Sequence, residues 1–578
     1  MLGNVKNPDS EKESKKAISE KLSREERRKI REKRKAEAGF PTKMTRYLWF
    51  LLFFSNIVSF FDGWGTTAIM LAMSGWGSPL NLQNSLRQAF TRNYDLFAYF
   101  NISNQPVVMG IILSIAGIGV VAAVSFKFLV DKFGRRPMTL VTAVAFITFA
   151  FLTAFSPPGS PGLIYFLIIR MFANYFLSAD VVVIIMAEES PDHLRGRLTG
   201  IVMALSNLGG FACGIMQLFG IRVPIANFWG FGYAWGSTMT VWQSLYFMNI
   251  IGFILIIPLF FLLKETKRFE DMKKYENWRK KKGLKAKTGW MVPLQKKYLR
   301  PMALGCIAGF LIMVITYAQV TFFGYYLAKQ MNMSAQLIGL VTLPIMVSAG
   351  IGTLSAGPLM DRFGRLPTIK YFSIITLIGG TLISVPGVFI VRDIPNLFLQ
   401  IIVVLGDCLG ALGLYIVTAG VTLLPLEMMP THIRSTAMGW ISSVTRGAMI
   451  LTPFLMMFGA ETLGGLGLSY QFMFIFMDMI FFTAVYVVLM LAPETKGREL
   501  EEIVATEVYA ERKDLAKKMD NKPYIYWAIY ISSFIALCFI YYLTTRATLA
   551  NMLIMLGFYS ILSCIGIVTV YIVRKKVM

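Results

Sequence analysis

Six ionisable residues sit inside long apolar runs of this chain: Asp62, Arg170, Asp180, Asp407, Arg446 and Asp478. A charge at bilayer depth costs about 2.5–3.5 kcal/mol on insertion scales and usually lines a pathway. Two kinds of chemistry are open to such a set. A carboxyl taken out of water can bind and release a proton near neutral pH, and a guanidinium can hold an anion through a planar, two-pronged contact. Histidine cannot be the proton carrier, because the only two, His193 and His432, fall in loops between the apolar runs. The five cysteines lie inside apolar runs with no CxxC spacing, so neither a metal site nor a disulfide framework is implied. No GxxxxGK[ST] phosphate loop is present, so ATP hydrolysis is excluded. No catalytic residue and no cofactor is assigned.

The elements that must position these residues are long helices. The 578 residues are 55% hydrophobic and only 16% charged, against about 25% charged in a soluble globule. The apolar runs reach the roughly 20 residues needed to cross a bilayer as a helix, and they show no strand-like alternation. The fold class is therefore all-α, a polytopic membrane protein. Spans are expected at 47–74, 106–130, 138–156, 162–187, 198–221, 241–263, 301–327, 336–360, 368–391, 396–424, 436–458, 469–492, 523–545 and 549–573, about fourteen transmembrane helices.

Lys and Arg concentrate in the N-terminal arm, the 264–300 loop and the tail at 574–576. The positive-inside rule then places both termini and the middle loop in the cytosol, and the net charge of +24 requires no nucleic-acid partner. The arm LSREERRKIREKRK reads as a solvated tail, with a charged helix on anionic lipid as the alternative. No signal peptide is visible.

Several spans carry polar residues at helical spacing. In the first, Ser55, Ser59, Asp62 and Thr66 share one face; in the fifth, Asn207, Gly210, Gly214 and Gln217; in the tenth, Asp407, Ala411, Tyr415, Thr418 and Thr422. Each face reads as a cavity wall or as hydrogen-bonding glue between helices.

The chain also repeats itself. DKFGRRP at 131–137 returns as DRFGRLP at 361–367, EESPDHLR at 188–195 as EMMPTHIR at 427–434, and KETKRFED at 264–271 as PETKGREL at 493–500. Three ordered recurrences, each at a helix end, imply a duplicated six-helix bundle, one of the known transporter plans.

These motifs resemble those of the major facilitator superfamily over roughly 47–500. The resemblance implies a major facilitator fold: a basic arm (1–46), a first bundle (47–263), a linker loop (264–300), a second bundle (301–492), an amphipathic linker (493–522) and an extra hairpin with a short tail (523–578). It also implies that Asp131, Gly134, Arg135, Arg136, Glu188 and Arg195, with their counterparts Asp361, Gly364, Arg365, Glu427 and Arg434, form charge-paired gating loops. Leu366 stands where the first copy has Arg136, so the second latch is expected to be weaker.

FDGWG at 61–65 resembles the D-G-Y-D of proton-coupled phosphate and metabolite symporters, with Gly65 in place of the second Asp. RMFANYFLSAD at 170–180 keeps their Arg-to-acid spacing, and TRGAMILTP at 445–453 resembles an organic-ion transporter motif whose Arg favours anions. Gln319 is the one trace of the sugar-porter Q-Q-x-x-G pattern.

The expected pathway set is Asp62, Arg170, Asp180, Gln319, Asp407 and Arg446. The expected function is secondary active transport of a small polar, anionic metabolite with protons, by alternating access, in the plasma membrane and as a monomer. A sugar-type porter or facilitator, an efflux transporter and a transporter-like nutrient sensor are the alternatives; the sensor lacks the folded cytosolic extension it would need.

Overall fold

The computed structural model describes residues 44–74, 106–123, 133–176, 195–224, 239–266, 291–331, 333–384, 397–430, 433–460 and 470–496, with isolated positions elsewhere. Among the described residues every regular element is a helix. The first half contributes α1 (Arg46–Ser74), α2 (Pro106–Ala122), α3 (Arg135–Leu152), α4 (Ser160–Tyr175), α5 (Arg195–Leu218), α6 (Val241–Phe247) and α7 (Ile250–Leu262). The second contributes α8 (Gly309–Lys329), α9 (Ala335–Phe363), α10 (Arg365–Ser384), α11 (Leu397–Met428), α12 (Arg434–Arg446), α13 (Ala448–Ala460) and α14 (Tyr470–Leu491). Seven of the described helices are long and apolar enough to cross a membrane. Large apolar side chains such as Phe53, Ile254, Phe261 and Phe398 are exposed on the outside, as lipid-facing groups are.

Two expected spans are broken. The run 241–263 splits at Met248 and Asn249, because the Asn249 amide donates to Tyr246 O at 2.8 Å and competes with the helix ladder. Thr240 and Gln243 close the start of α6 with a reciprocal capping box. The run 436–458 splits at Gly447, whose N–H bonds back to Val444 O at 3.0 Å in a tightened turn.

Packing relates the two halves. α5 lies along α1 and α9, and α2 lies along α13. Moving six spans down the chain turns the α5–α9 contact into the α2–α13 contact. Both are close because small residues face them: a Cβ on Gly339 would sit 2.7 Å from Leu218 N, and one on Gly110 would sit 2.8 Å from Pro453 O. Ser114 adds a hydrogen bond to Ile450 O at 2.7 Å across α2–α13. α8 packs on α1, and α11 on α9 and α10. One large buried cluster runs through both halves, and Val570 and Val573 near the chain's end join it.

Candidate functional site

α11 supplies the first functional group. Asp407, Ala411 and Tyr415 lie one helical turn apart on one face and line a small enclosed cavity. α8 adds Gln319, Val320 and Phe323; α9 adds Thr342, Ile345, Met346 and Ala349; α1 adds Met70. Asp407 is 1% exposed. The Gln319 side-chain amide donates to its Oδ1, while Oδ2 has no hydrogen-bond partner. The lining contains no cation. A carboxyl held this way, among apolar side chains and one neutral amide, can be neutral only by taking a proton or a bound cation.

α4 supplies the second. Arg170 is 7% exposed and lies over the Tyr246 ring of α6, 5.2 Å from guanidinium carbon to centroid. Tyr317 of α8 is within its electrostatic reach. Its Nη1 and the Tyr246 hydroxyl are buried without hydrogen-bond partners, and no described carboxylate pairs with it. Tyr317 and Gln319 both belong to α8, two residues apart and therefore on different faces of it.

The other expected pathway residues lie elsewhere. Asp62 is half-buried on α1, its main-chain oxygen taking the Thr66 hydroxyl at 2.6 Å, and it does not line the cavity. Ser55, on the same face, lines a second small cavity with Val58, Thr139 and Leu263. Asn207 reaches Thr353 across α5–α9 at 3.5 Å, which is glue rather than cavity wall. Arg446 ends α12, half-buried, outside the cavity lining. The Asp478 carboxylate lies against Gly380, between α14 and α10. Asp180 lies outside the described residues.

The duplicated loops form a second constellation. Gly134 and Gly364 both have positive φ, 116° and 105°, a backbone that side chains rarely adopt. Each starts a helix whose first main-chain N–H groups point at a carboxylate. Glu265 accepts from Arg135 N at 2.9 Å and Arg136 N at 3.2 Å. Glu494 accepts from Arg365 N and Leu366 N, both at 3.0 Å. A carboxylate there satisfies orphan donors and complements the helix dipole.

In the second copy Arg365 also pairs with Glu427 at 3.1 Å and with the largely exposed Asp361 at 3.1 Å. Thr495 donates to the other Glu427 oxygen. The Arg136-to-Leu366 difference falls on a main-chain contact, which either residue makes. Arg135 is buried and Arg136 exposed. Arg195 and Arg434 begin α5 and α12; Asp131 and Glu188 lie outside the described residues.

Sequence reasoning quoted the KET and PET motifs without assigning Glu265 and Glu494. Their matching distance from the two D-x-x-G-R loops was the available signal. Tyr246 carried no signal of its own.

The Major Facilitator Superfamily profile matches residues 9–214, 52–453 and 306–577. The chain belongs to this superfamily. It is 27% identical over 431 residues to the arabinose-proton symporter of Bacillus subtilis (strain 168), covering 69% of this chain and 87% of that protein. It is 26% identical over 347 residues to the proline/betaine transporter of Escherichia coli (strain K12), covering 57% of this chain and 64% of that one. Among solved structures it resembles the xylose transporter XylE from E. coli in a partially occluded inward-open conformation. The TM-score there is 0.55 at 16% identity, over 79% of this chain and 100% of that chain. This likeness concerns the fold. The protein is thus a multi-pass membrane transporter of the secondary type.

Proposed function

We propose that this transporter is a proton-coupled symporter of a small polar solute bearing an anionic group, and that Asp407 carries the proton. The observation behind this is the buried Asp407 carboxyl at the cavity wall, held on one oxygen by neutral Gln319 and without a hydrogen-bond partner on the other. The arabinose-proton symporter named among its relatives supports the coupling. An anionic solute would find its counter-charge at Arg170, whose buried Nη1 has no hydrogen-bond partner, rather than at Arg446, which has interactions of its own.

In this reading bundles 47–263 and 301–492, related by a pseudo-two-fold axis along the membrane normal, rock about the cavity. The arm, middle loop and tail face the cytosol of a plasma-membrane protein. The Gly134/Glu265 and Gly364/Glu494 constellations act as gating contacts on that side. The 523–573 hairpin contributes to anchoring, and the protein works as a monomer without cofactor, metal or catalytic chemistry.

A proton carrier must be alternately hydrated and enclosed, and Asp407 is buried in the conformation described. The test is solute-dependent proton entry into dye-loaded proteoliposomes of the full-length protein. Alkalinisation outside on adding a transported solute supports the reading; solute movement with no proton flux contradicts it. A second reading, a sugar-type porter, is favoured by Gln319 lining the cavity and by the arabinose-proton symporter among the relatives. Uptake of arabinose but of no anion would select it.

A further inference from the structure

Arg170 and Asp407 lie inside the fourth and tenth apolar spans, the spans that precede the two E-x-x-P-x-H-x-R signals of the repeats. Both are more than nine-tenths buried, and each has a polar atom with no partner.

Among the described residues the groups facing them are few. Around Arg170 are Tyr246 from α6 and Tyr317 from α8, with Cys213 of α5 beside Tyr246. α2 brings no ionisable side chain, and α3 brings only Arg135 and Arg136 at its far end. Around Asp407 are Tyr415 and Cys408 of its own helix, Gln319 of α8 and Ser348 of α9. α10, which packs along α11, has only Arg365, Lys370 and Tyr371 near its own start. Asp62 and Arg446 have interactions of their own and line neither group.

We infer that Arg170, with Tyr246 and Tyr317, is the subsite for the carboxylate of a monovalent anionic solute, and that Arg170 and Asp407 together enforce electroneutral symport of one proton per anion. The inference rests on the symport reading. The guanidinium offers its unpartnered Nη1 and the Tyr246 hydroxyl offers a further donor, which suits a planar carboxylate. The charge balance follows from the same two residues. Empty, the carrier's interior holds Arg170 positive and Asp407 negative at two separate positions, a net of zero. Loaded, it holds Arg170 paired with the anion and Asp407 protonated, again zero. Anion without proton leaves one negative charge in a low-dielectric interior, and proton without anion leaves one positive charge. Both half-loaded states are penalised, so the carrier reorients only empty or fully loaded.

The experiment uses the full-length protein in proteoliposomes, with labelled lactate, gluconate, quinate and nicotinate as probes and arabinose and glycine betaine as net-neutral controls. Potential is set with valinomycin and potassium, and the pH gradient separately. We expect a pH gradient to drive accumulation of at least one monoanion, and potential to leave its initial rate unchanged. Arg170→Gln should raise that anion's half-saturating concentration by about tenfold or more, with Arg170→Lys between. Tyr246→Phe, which removes one hydroxyl from the same subsite, should weaken the anion several-fold and serves if the Arg170 variants do not insert. Potential-driven anion uptake, unchanged anion affinity in these variants, or proton-coupled uptake confined to the neutral solutes would overturn the inference and leave symport standing. Absence of proton flux with every solute would overturn the symport reading itself, and the inference with it.

Discussion

Glu265 and Glu494 do the same thing at equivalent places: each carboxylate accepts the first two main-chain N–H groups of a helix, α3 or α10. Arg170 and Asp407 lie inside the fourth and tenth spans, and there the two halves carry opposite charges. The contrast follows from what each position must satisfy. Orphan N–H groups and a helix dipole recur wherever a helix begins, whatever side chain follows, so the main chains of Arg136 and Leu366 make the same contact. A position at mid-bilayer answers to whatever shares the cavity, and duplication leaves it free to diverge.

The comparison can be broken at its strongest contact first. Glu427→Ala leaves Arg365 with the exposed Asp361 as its charged partner, beside the Met360 carbonyl, while both Arg365 and Glu427 are largely buried. It should cost about 3 kcal/mol, read as a loss of thermal stability in detergent. If stability is unchanged, the pair is not a structural contact.

Glu265→Ala and Glu494→Ala sharpen the likeness between the copies. Each removes a helix cap and should cost about 1–2 kcal/mol, by similar amounts. A large cost at Glu494 with none at Glu265 would show that the two loops have diverged as the mid-membrane positions have. Gly364→Ala should cost about 1 kcal/mol or more, because its φ of 105° is strained for a side chain and the new Cβ would lie 3.0 Å from the Glu494 carboxylate. The control is Gly439→Ala within α12, where a Cβ meets nothing within 4 Å. It should be neutral or stabilising by up to about 1 kcal/mol, and a destabilisation would mean that the thermal assay reads something other than local backbone and packing.

Much of the fold was legible because hydrophobic length and loop signals are local. The runs at 336–360 and 396–424 became α9 and α11 with ends moved by a few residues. The breaks at Asn249 and Gly447 were not legible, since each is decided by one turn of backbone hydrogen bonding inside an otherwise apolar run.

The site was legible only in part. Depth alone marked Asp407 and Arg170, but it marked Asp62 and Arg446 equally, and motif resemblance favoured those two. What separates them is which helix face meets which neighbour across distant sequence: Gln319 against Asp407, and Tyr246 against Arg170.

The central claim is that Asp407 carries the coupling proton, and one paired measurement tests it most directly. Wild type and Asp407→Asn, at equal reconstitution, are compared for pH-driven accumulation and for counterflow of the same labelled solute with no gradient. The account predicts that Asp407→Asn, an uncharged near-isostere, loses accumulation against the gradient and keeps counterflow. Full uphill accumulation by Asp407→Asn, with an unchanged pH optimum, would contradict it and return the proton site to Asp62 or Asp180.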